Sequence, residues 1–274
     1  MSSESPQVGA ALAGWRALQR DWSVAWLLAL REWLSGYRSS RWNAVWPVLY
    51  PILYTSLLLA VRPLLGQQSH DPARYALFAF VGFSLWQAWI ETLRAQLGAL
   101  RRYKSMVSRG DMGSGTIAIS SAITGALQLV PRLLLAIVLA LATRHTVSPV
   151  AVVSLLVGGL LVIANATALG TLLQSWATLT PGVERFIQSV TLALIFTGGV
   201  FLALPPHPGR LVQVLLALNP FGALLDMARA PLIGDALHSP ALLQVWVALT
   251  LVAVLVARNI GPRLLPIVVE RMGN

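Results

Sequence analysis

Residues 150–173 read VAVVSLLVGGLLVIANATALGTLL, a stretch without one charged side chain. A helix needs about 20 mostly apolar residues to cross the hydrocarbon core of a bilayer, and this stretch is longer than that. Gly159, Ala166 and Gly170 are small residues of the kind that let helices approach closely inside a membrane. The stretch is therefore predicted to be a transmembrane helix, and it decides the class of the fold.

The composition extends this prediction to the whole chain. Of its 274 residues, 56% are hydrophobic and 11% are charged, and the mean hydropathy is +0.70. Soluble domains carry more polar surface than that. We therefore expect an all-α membrane protein with six transmembrane helices, at about 43–65, 75–97, 118–143, 150–173, 183–203 and 241–257.

The basic residues predict the orientation of these spans. Membrane proteins concentrate lysine and arginine in their cytoplasmic segments. With both termini inside, fourteen of the 20 basic residues lie inside and five lie outside, while Arg132 lies within the third span. We therefore expect an N-in/C-in topology with an even number of spans.

Residues 215–235, LLALNPFGALLDMARAPLIGD, are apolar but do not suit a seventh span. A helix between Pro220 and Pro231 is too short to cross, and a seventh span would place the C-terminal arginines outside. We expect residues 204–240 to form a re-entrant helical hairpin on the outer face, between the fifth and sixth spans. A helix lying flat on the membrane surface is the alternative.

Two features of this hairpin are predicted from its residues. Asn219 directly precedes Pro220, an order that suits the N-cap and the first turn of a helix. Asp226 and Arg229 are three residues apart on one helix face, so we expect them to form an ion pair.

The N-terminal segment divides into a flexible tail, residues 1–14, and an amphipathic helix, residues 15–41, with the transmembrane domain at 42–274. At 100° per residue, four tryptophans of the helix fall within about 40° of one another: Trp15, Trp22, Trp26 and Trp33. Indole rings prefer the headgroup zone, and the arginines opposite prefer water or anionic headgroups. We expect a cytoplasmic interface helix that also meets a protein; a plain membrane anchor is the alternative.

The second inside loop, at about 98–112, carries a dense group of charged residues: Arg101, Arg102, Lys104, Arg109 and Asp111. A short basic segment at the inner face is expected to dock a cytoplasmic protein, or else only to set the topology. The glycine-rich residues 113–116 do not form a phosphate-binding loop, because no Lys-Ser/Thr follows them. We therefore expect no nucleotide site in this chain.

Charged and aromatic residues also occur inside the predicted spans. An arginine at mid-bilayer costs at least ~2.5 kcal/mol, so Arg132 is expected to face a wet or protein-lined path or to snorkel towards the inner headgroups. Glu91 and Arg94 are expected to pair. The second span places Phe83, Trp86 and Trp89 where they line a path for sugars or pack between helices.

Residue patterns for chemistry are lacking. The four histidines fall far apart in outside loops without metal-ligand spacing, and no Ser-His-Asp set or carboxylate pair is apparent. We therefore expect no catalytic or metal site in this chain, and a membrane-bound glycosyl- or acyl-transferase is only the alternative.

Three stretches together resemble one known family. They are GYRSSRWNAVWPVLYPILY (36–54), with Tyr37, Ser40, Trp46 and Pro51; YALFAFVGFSLWQAWIETL (75–93), with Gly82 and Trp86; and LNPFGALLDMARAPLIG (218–234), with Asn219, Pro220, Asp226, Arg229 and Gly234. In order and spacing they are similar to the membrane subunit of ABC type-2 exporters, in the branch that exports bacterial polysaccharides. Two departures are that SRGDMGSG replaces the family's Phe-Pro-x-Glu after the inside loop, and that TGGVF replaces a proline at the outer end of span 5.

The resemblance implies a permease subunit rather than an enzyme. Two copies would form a pore in the bacterial inner membrane, and two separate ATPase subunits, which bind the ATP and Mg²⁺, would dock at the interface helix and the 98–112 loop. The 204–240 hairpin would be an outer gate. The implied substrate is a polysaccharide on a polyprenyl-diphosphate lipid, whose diphosphate Arg132 would attract, and no nucleic acid is involved. A drug or lipid exporter of the same superfamily is the alternative.

Overall fold

The structure, a computed structural model, describes residues 21–35, 45–65, 71–143, 147–180, 182–201 and 209–273. Every regular element within these ranges is a helix, so the predicted all-α fold is confirmed. The predicted flexible tail, Trp15, the end of the interface helix with Tyr37 and Ser40, and residues 204–208 of the hairpin lie outside the described residues.

The helices, named in chain order, are α1 (21–35), α2 (Trp46–Val61, then a 3-10 turn Arg62–Leu65), α3 (Pro72–Arg102), α4 (Lys104–Ser108), α5 (Ser114–Ala142), α6 (Pro149–Leu179), α7 (Val183–Thr197), α8 (Arg210–Leu218), α9 (Pro220–Ile233) and α10 (Pro240–Gly273). The sequence sets several of their starts. Asp71 accepts from the N–H of Arg74 at 2.9 Å and Ser148 from that of Ala151 at 3.1 Å, and a proline follows each cap.

Within the described ranges, five helical segments are long and apolar enough to cross a membrane: Trp46–Leu64, Pro72–Arg102, Ser114–Ala142, Pro149–Leu179 and Pro240–Met272. They correspond to the first four and the sixth of the predicted spans, and they support the multi-pass membrane class. The predicted fifth span, 183–203, differs, because α7 has only 15 residues and ends at Thr197.

Helix α3 lies at the centre of the bundle. In its most apolar stretch 78% of the residues are buried, whereas 11% are buried in α2 and in α10. α3 packs on α5, α6 and α9, and α6 packs in turn on α9 and α10. The outer helices therefore present apolar side chains outwards, as expected of helices that face lipid.

Small residues allow the closest helix contacts. A Cβ built on Gly170 of α6 would lie 2.7 Å from the Cβ of Gln96 on α3, and one built on Gly158 would lie 2.5 Å from the Cβ of Ala228 on α9. Only glycine fits at such distances. The close packing predicted for Gly170 is thereby confirmed.

Polar side chains join the same helices in the interior. The indole N–H of Trp89 donates to the amide oxygen of Asn165 at 3.0 Å, and the amide nitrogen of Asn165 donates to the hydroxyl of Thr250 at 3.0 Å. This chain of bonds links α3, α6 and α10. Interhelical hydrogen bonds in membranes are worth about 0.6–2 kcal/mol each, so the bonds fix the register of the three helices.

Candidate functional site

The most irregular backbone inside the bundle follows α7. The helix ends at Thr197 with Gly198 as its C-cap, and Gly199 adopts φ +66°, a left-handed conformation that glycine tolerates better than other residues. Val200 then lies against α3, where a Cβ on Gly82 would come within 2.6 Å of its carbonyl oxygen. The Tyr75 hydroxyl donates to the Phe201 carbonyl at 3.0 Å.

Helix α7 and this irregular stretch together run along most of α3. Glu184, in the first turn of α7, forms an ion pair with Arg101 at one end of α3, whereas Phe201 contacts Tyr75 near the other end. Tyr75 and Arg101 are 26 residues apart on α3, a separation of about 39 Å at 1.5 Å per residue. That length is sufficient to cross a hydrocarbon core of about 30 Å.

Arg229 of α9 supports the break in the fifth predicted span. Its side chain is 3% exposed, and its Nη1 donates to the main-chain carbonyl of Gly199 at 2.8 Å. The guanidinium carbon lies 3.7 Å from the centre of the Phe78 ring, a cation–π contact. A carbonyl that the end of the helix leaves without an N–H partner thus receives a donor from another helix.

The expected ion pair between Asp226 and Arg229 is wrong. Asp226 accepts instead from the main-chain N–H of His238 at 2.8 Å and contacts its Nδ1 at 3.0 Å. Three-residue spacing brings two side chains to one helix face, but here each has a partner on another segment. Asp226 therefore holds the loop before α10, and Arg229 holds the end of α7.

Asn219 lies at the turn between α8 and α9 and is fully buried. Its Oδ1 accepts from the N–H of Phe221 at 3.0 Å with Pro220 in the first turn, so the predicted N-cap is confirmed. Its Nδ2 donates to the Leu194 carbonyl at 2.9 Å and to the Thr197 hydroxyl at 3.0 Å. The turn is therefore bound to the last turn of α7.

Helix α9 runs from the middle of α3 towards its N-terminal end. The Phe221 ring lies 6.1 Å from that of Trp89, near the midpoint of α3, and Asp235 beyond the other end of α9 pairs with Arg74 in the first turn of α3. Helix α9 therefore leads from the buried turn at Asn219 to the end of the bundle at which α3 begins.

Two of the three predicted path aromatics are packed in the core. Trp89 is 2% exposed and hydrogen-bonded to Asn165. Phe83 is buried against Tyr54, Trp86 and Phe201, at ring distances of 4.6, 5.7 and 5.7 Å. Both rings therefore pack between helices, which was the alternative interpretation. Trp86 is half-buried.

Arg132 is fully buried and neither snorkels nor faces an open path. Its Nη2 lies 3.0 and 3.1 Å from the two carboxylate oxygens of Glu91, and its Nε donates to the Pro47 carbonyl at 2.7 Å. The expected pairing of Glu91 with Arg94 is therefore wrong. Because Arg132 is neutralised by Glu91 and enclosed by protein, a diphosphate does not reach it in this conformation.

The predicted docking residues meet at the opposite end of the bundle. Arg101 pairs with Glu184, and Arg102 pairs with Glu32 of α1. The Lys104 ammonium donates to the Met272 carbonyl near the end of α10. These partners are partly exposed, so each bond contributes little to stability, but together they bring α1, α3, α7 and α10 to one basic face.

Arg109 and Asp111 complete this face. They pair with each other at 3.0 Å in the loop after α4, and both are largely exposed. At the edge of the same face, burial and the nearby Glu32 carboxylate raise the pKa of the Tyr103 phenol, which therefore stays neutral at physiological pH. The charge pattern of the face is thus set by its arginines, lysine and carboxylates.

Helix α1 packs through small residues rather than through its tryptophans. Ala25 and Ala29 are fully buried against Ile123 of α5, whereas Trp22 and Trp26 are exposed. Trp33 is half-buried. Because these two indoles are exposed, they are accessible to lipid headgroups or to a partner protein.

Sequence reasoning missed the role of Tyr75 and of the 198–201 stretch. The paired glycines Gly198 and Gly199 within a predicted span were the available indication, since glycine is unfavourable inside a helix.

Among the described residues no group of three or more His, Cys, Asp or Glu side chains is placed to hold a metal ion. A comparison with models of known protein families and with curated proteins found no match in either.

Proposed function

We propose that this chain is the membrane permease subunit of an ATP-driven exporter of the ABC type-2 kind. In this proposal it moves a polysaccharide linked to a polyprenyl diphosphate across the bacterial inner membrane. The observation that carries the proposal is the α8–α9 pair, whose turn at Asn219 lies in the interior beside the broken end of α7. Non-helical backbone at membrane depth, buried in protein, is typical of transporters.

The proposed topology has six passes with both termini inside. α7 and the 198–201 stretch make the fifth pass, and the distance of about 39 Å between the two residues of α3 that they contact, Arg101 and Tyr75, supports this count. The α8–α9 pair is the re-entrant hairpin and acts as an outer gate. In this role Asn219, Pro220 and Arg229 tie the hairpin to the fifth pass, while Asp226 ties it to the sixth.

The proposed assembly is a homodimer with two cytoplasmic ATPase subunits that supply the ATP and Mg²⁺ chemistry. Its docking surface is the basic face at the ends of α3, α4 and α10, with α1 beside it. Along the substrate path, half-buried Trp86 is the aromatic residue best placed to contact a sugar. Phe83, Trp89 and Arg132 support the path from within the protein.

The most direct test of the proposal is whether an ATPase subunit co-purifies with the chain. The tagged chain is purified in mild detergent from its own membrane, and ATP hydrolysis is compared with that of a partner-free preparation. We expect an ATPase in equal stoichiometry and no hydrolysis by the partner-free chain. Hydrolysis by the partner-free chain would contradict the permease assignment.

Depleting the chain from the same cells tests the identity of the substrate. We expect lipid-linked glycan to accumulate in the inner leaflet. Loss of export of a drug or simple lipid, with glycan unaffected, would instead favour the other exporter branch. Sugar or acyl transfer by the pure chain alone would favour the membrane transferase.

A further inference from the structure

The first turn of α2 has an acceptor that its own helix does not satisfy. In an α-helix the carbonyl of residue i accepts from the N–H of residue i+4. The Pro47 carbonyl would therefore accept from residue 51, which is proline and has no N–H. The structure supplies a donor from elsewhere, because Nε of Arg132 on α5 lies 2.7 Å from this carbonyl.

The same guanidinium is held from a third helix. Nη2 of Arg132 contacts both oxygens of Glu91 on α3, and Gln87 donates to Glu91 at 2.9 Å from one turn earlier. Glu91 thus supplies the countercharge that a fully buried arginine requires. One side chain thereby connects α2, α3 and α5.

Little of helix α2 is buried against the rest of the described residues. Only Pro51 and Thr55 are buried among the residues of α2, and the stacking of Tyr54 on Phe83 lies further along the helix. We propose that Arg132 replaces the N–H that Pro51 lacks and thereby clamps the first turn of α2 to α3 and α5. The clamp is a positioning device, independent of what the protein transports.

A double-mutant cycle on the full chain tests the clamp. Glu91→Gln with Arg132→Met removes the clamp without stranding a charge, and Pro51→Ala restores the missing N–H. Removing the clamp should raise the unfolding equilibrium constant roughly tenfold in the parent background, because the Pro47 carbonyl is then left unsatisfied. In the Pro51→Ala background the same change should have a clearly smaller effect, since the new N–H at position 51 then donates to Pro47.

Pro262→Ala is the matched control. It also removes a helix proline, but it lies on α10 next to Gly261, which contacts Ser114 at the far end of α5 from Arg132. Its effect should be the same with and without the clamp. Equal effects of Pro51→Ala in both backgrounds would overturn the proposal, and so would coupling of equal size at Pro262.

A second arm covers the case in which the clamp-free chain does not fold. Arg132→Lys keeps a positive charge beside Glu91. A lysine has one side-chain nitrogen, however, where arginine uses two separate nitrogens to contact Pro47 and Glu91. Pro51→Ala should then stabilise the lysine chain more than it stabilises the parent. The same gain in both chains would overturn the clamp.

Discussion

The side-chain amide of Asn219 donates to the main-chain carbonyl of Leu194 at 2.9 Å while its oxygen accepts from the N–H of Phe221 at 3.0 Å. One residue therefore joins the last turn of α7 to the first turn of α9. Asparagine suits this position because its amide group both donates and accepts. Leu194 and Asn219 are 25 residues apart in the chain, and their bond holds the two helix ends as one unit.

Two substitutions of Asn219 should lower the stability of the protein by different amounts. Asn219→Ala loses the cap of α9 and the two amide hydrogen bonds to the end of α7, which together should cost about 1–3 kcal/mol. Asn219→Ser keeps an oxygen for capping but is too short to reach Leu194, so it should recover part of that loss. Thermal unfolding in detergent measures both, and an alanine variant as stable as the parent would refute the double role.

Gly82 should not tolerate a methyl group, although it lies in a helix. An added Cβ would meet the Val200 carbonyl at 2.6 Å and Nη1 of Arg229 at 3.3 Å, so Gly82→Ala should destabilise by about 1–3 kcal/mol. Gly98→Ala on the same helix is the control, because its nearest neighbour is the flexible end of Arg102 at 4.0 Å.

The control should be neutral or stabilising by up to about 1 kcal/mol, since alanine favours the helix. Unfolding of both variants in the same detergent gives the comparison. Equal stability of the two alanine variants would mean that the 198–201 stretch is not seated on Gly82.

Asp226 and Arg229 should behave independently. Arg229→Leu removes the donor to Gly199, and Asp226→Asn weakens the contact with His238. No hydrogen bond or ion pair joins the two side chains, so only the attraction of their charges along one helix face couples them, and the effects on unfolding should add within about 0.5 kcal/mol. If the double variant is destabilised much less than the sum of the two single variants, the result would support the ion pair that the three-residue spacing predicted.

The architecture was predictable where it depends on local pattern. Apolar stretches of sufficient length indicated the five helical segments that can cross a membrane, and Asn219 before Pro220 indicated a helix start. These features follow from hydropathy and from the chemistry of a few neighbouring residues. The break after Thr197 was not predicted, because residues 183–203 satisfy the length and apolarity of a span on their own.

Partners distant in the sequence were predicted least well. Spacing alone suggested Asp226 with Arg229 and Glu91 with Arg94, whereas the charges found partners on other helices. Burial explains this outcome, since an arginine inside a bundle must satisfy several donors at once and a neighbouring carboxylate does not suffice. Such choices depend on helix packing, which no local pattern specifies.

The basic face should be probed at Arg109 rather than at Arg101 or Arg102. The latter two pair with Glu184 and Glu32, so reversing their charge would also disturb α7 and α1. Arg109→Glu touches only the exposed partner Asp111 and should leave unfolding unchanged. If this face docks an ATPase, ATP-driven transport should fall; unchanged transport would move the docking role to α1.

The number of membrane passes can be measured because the chain contains no cysteine. Single cysteines are placed at exposed positions that avoid the bonds described above: Ser105, Gly209 and Ala236. A Cβ at Gly209 meets nothing within 4 Å, so this substitution is mild. Each variant is labelled in sealed membranes of known orientation with a thiol reagent that does not cross the bilayer.

Gly209 and Ala236 flank the two ends of the α8–α9 pair, and Ser105 lies on the basic face. If the pair is re-entrant and α7 with residues 198–201 crosses, the Gly209→Cys and Ala236→Cys variants should both react from outside and Ser105→Cys only from inside. Reaction of the first two variants from opposite sides would show that α8–α9 spans the membrane. Reaction of all three from inside would leave five passes, and the contacts of Phe201 with Tyr75 and of Asp235 with Arg74 would then need another arrangement in the bilayer.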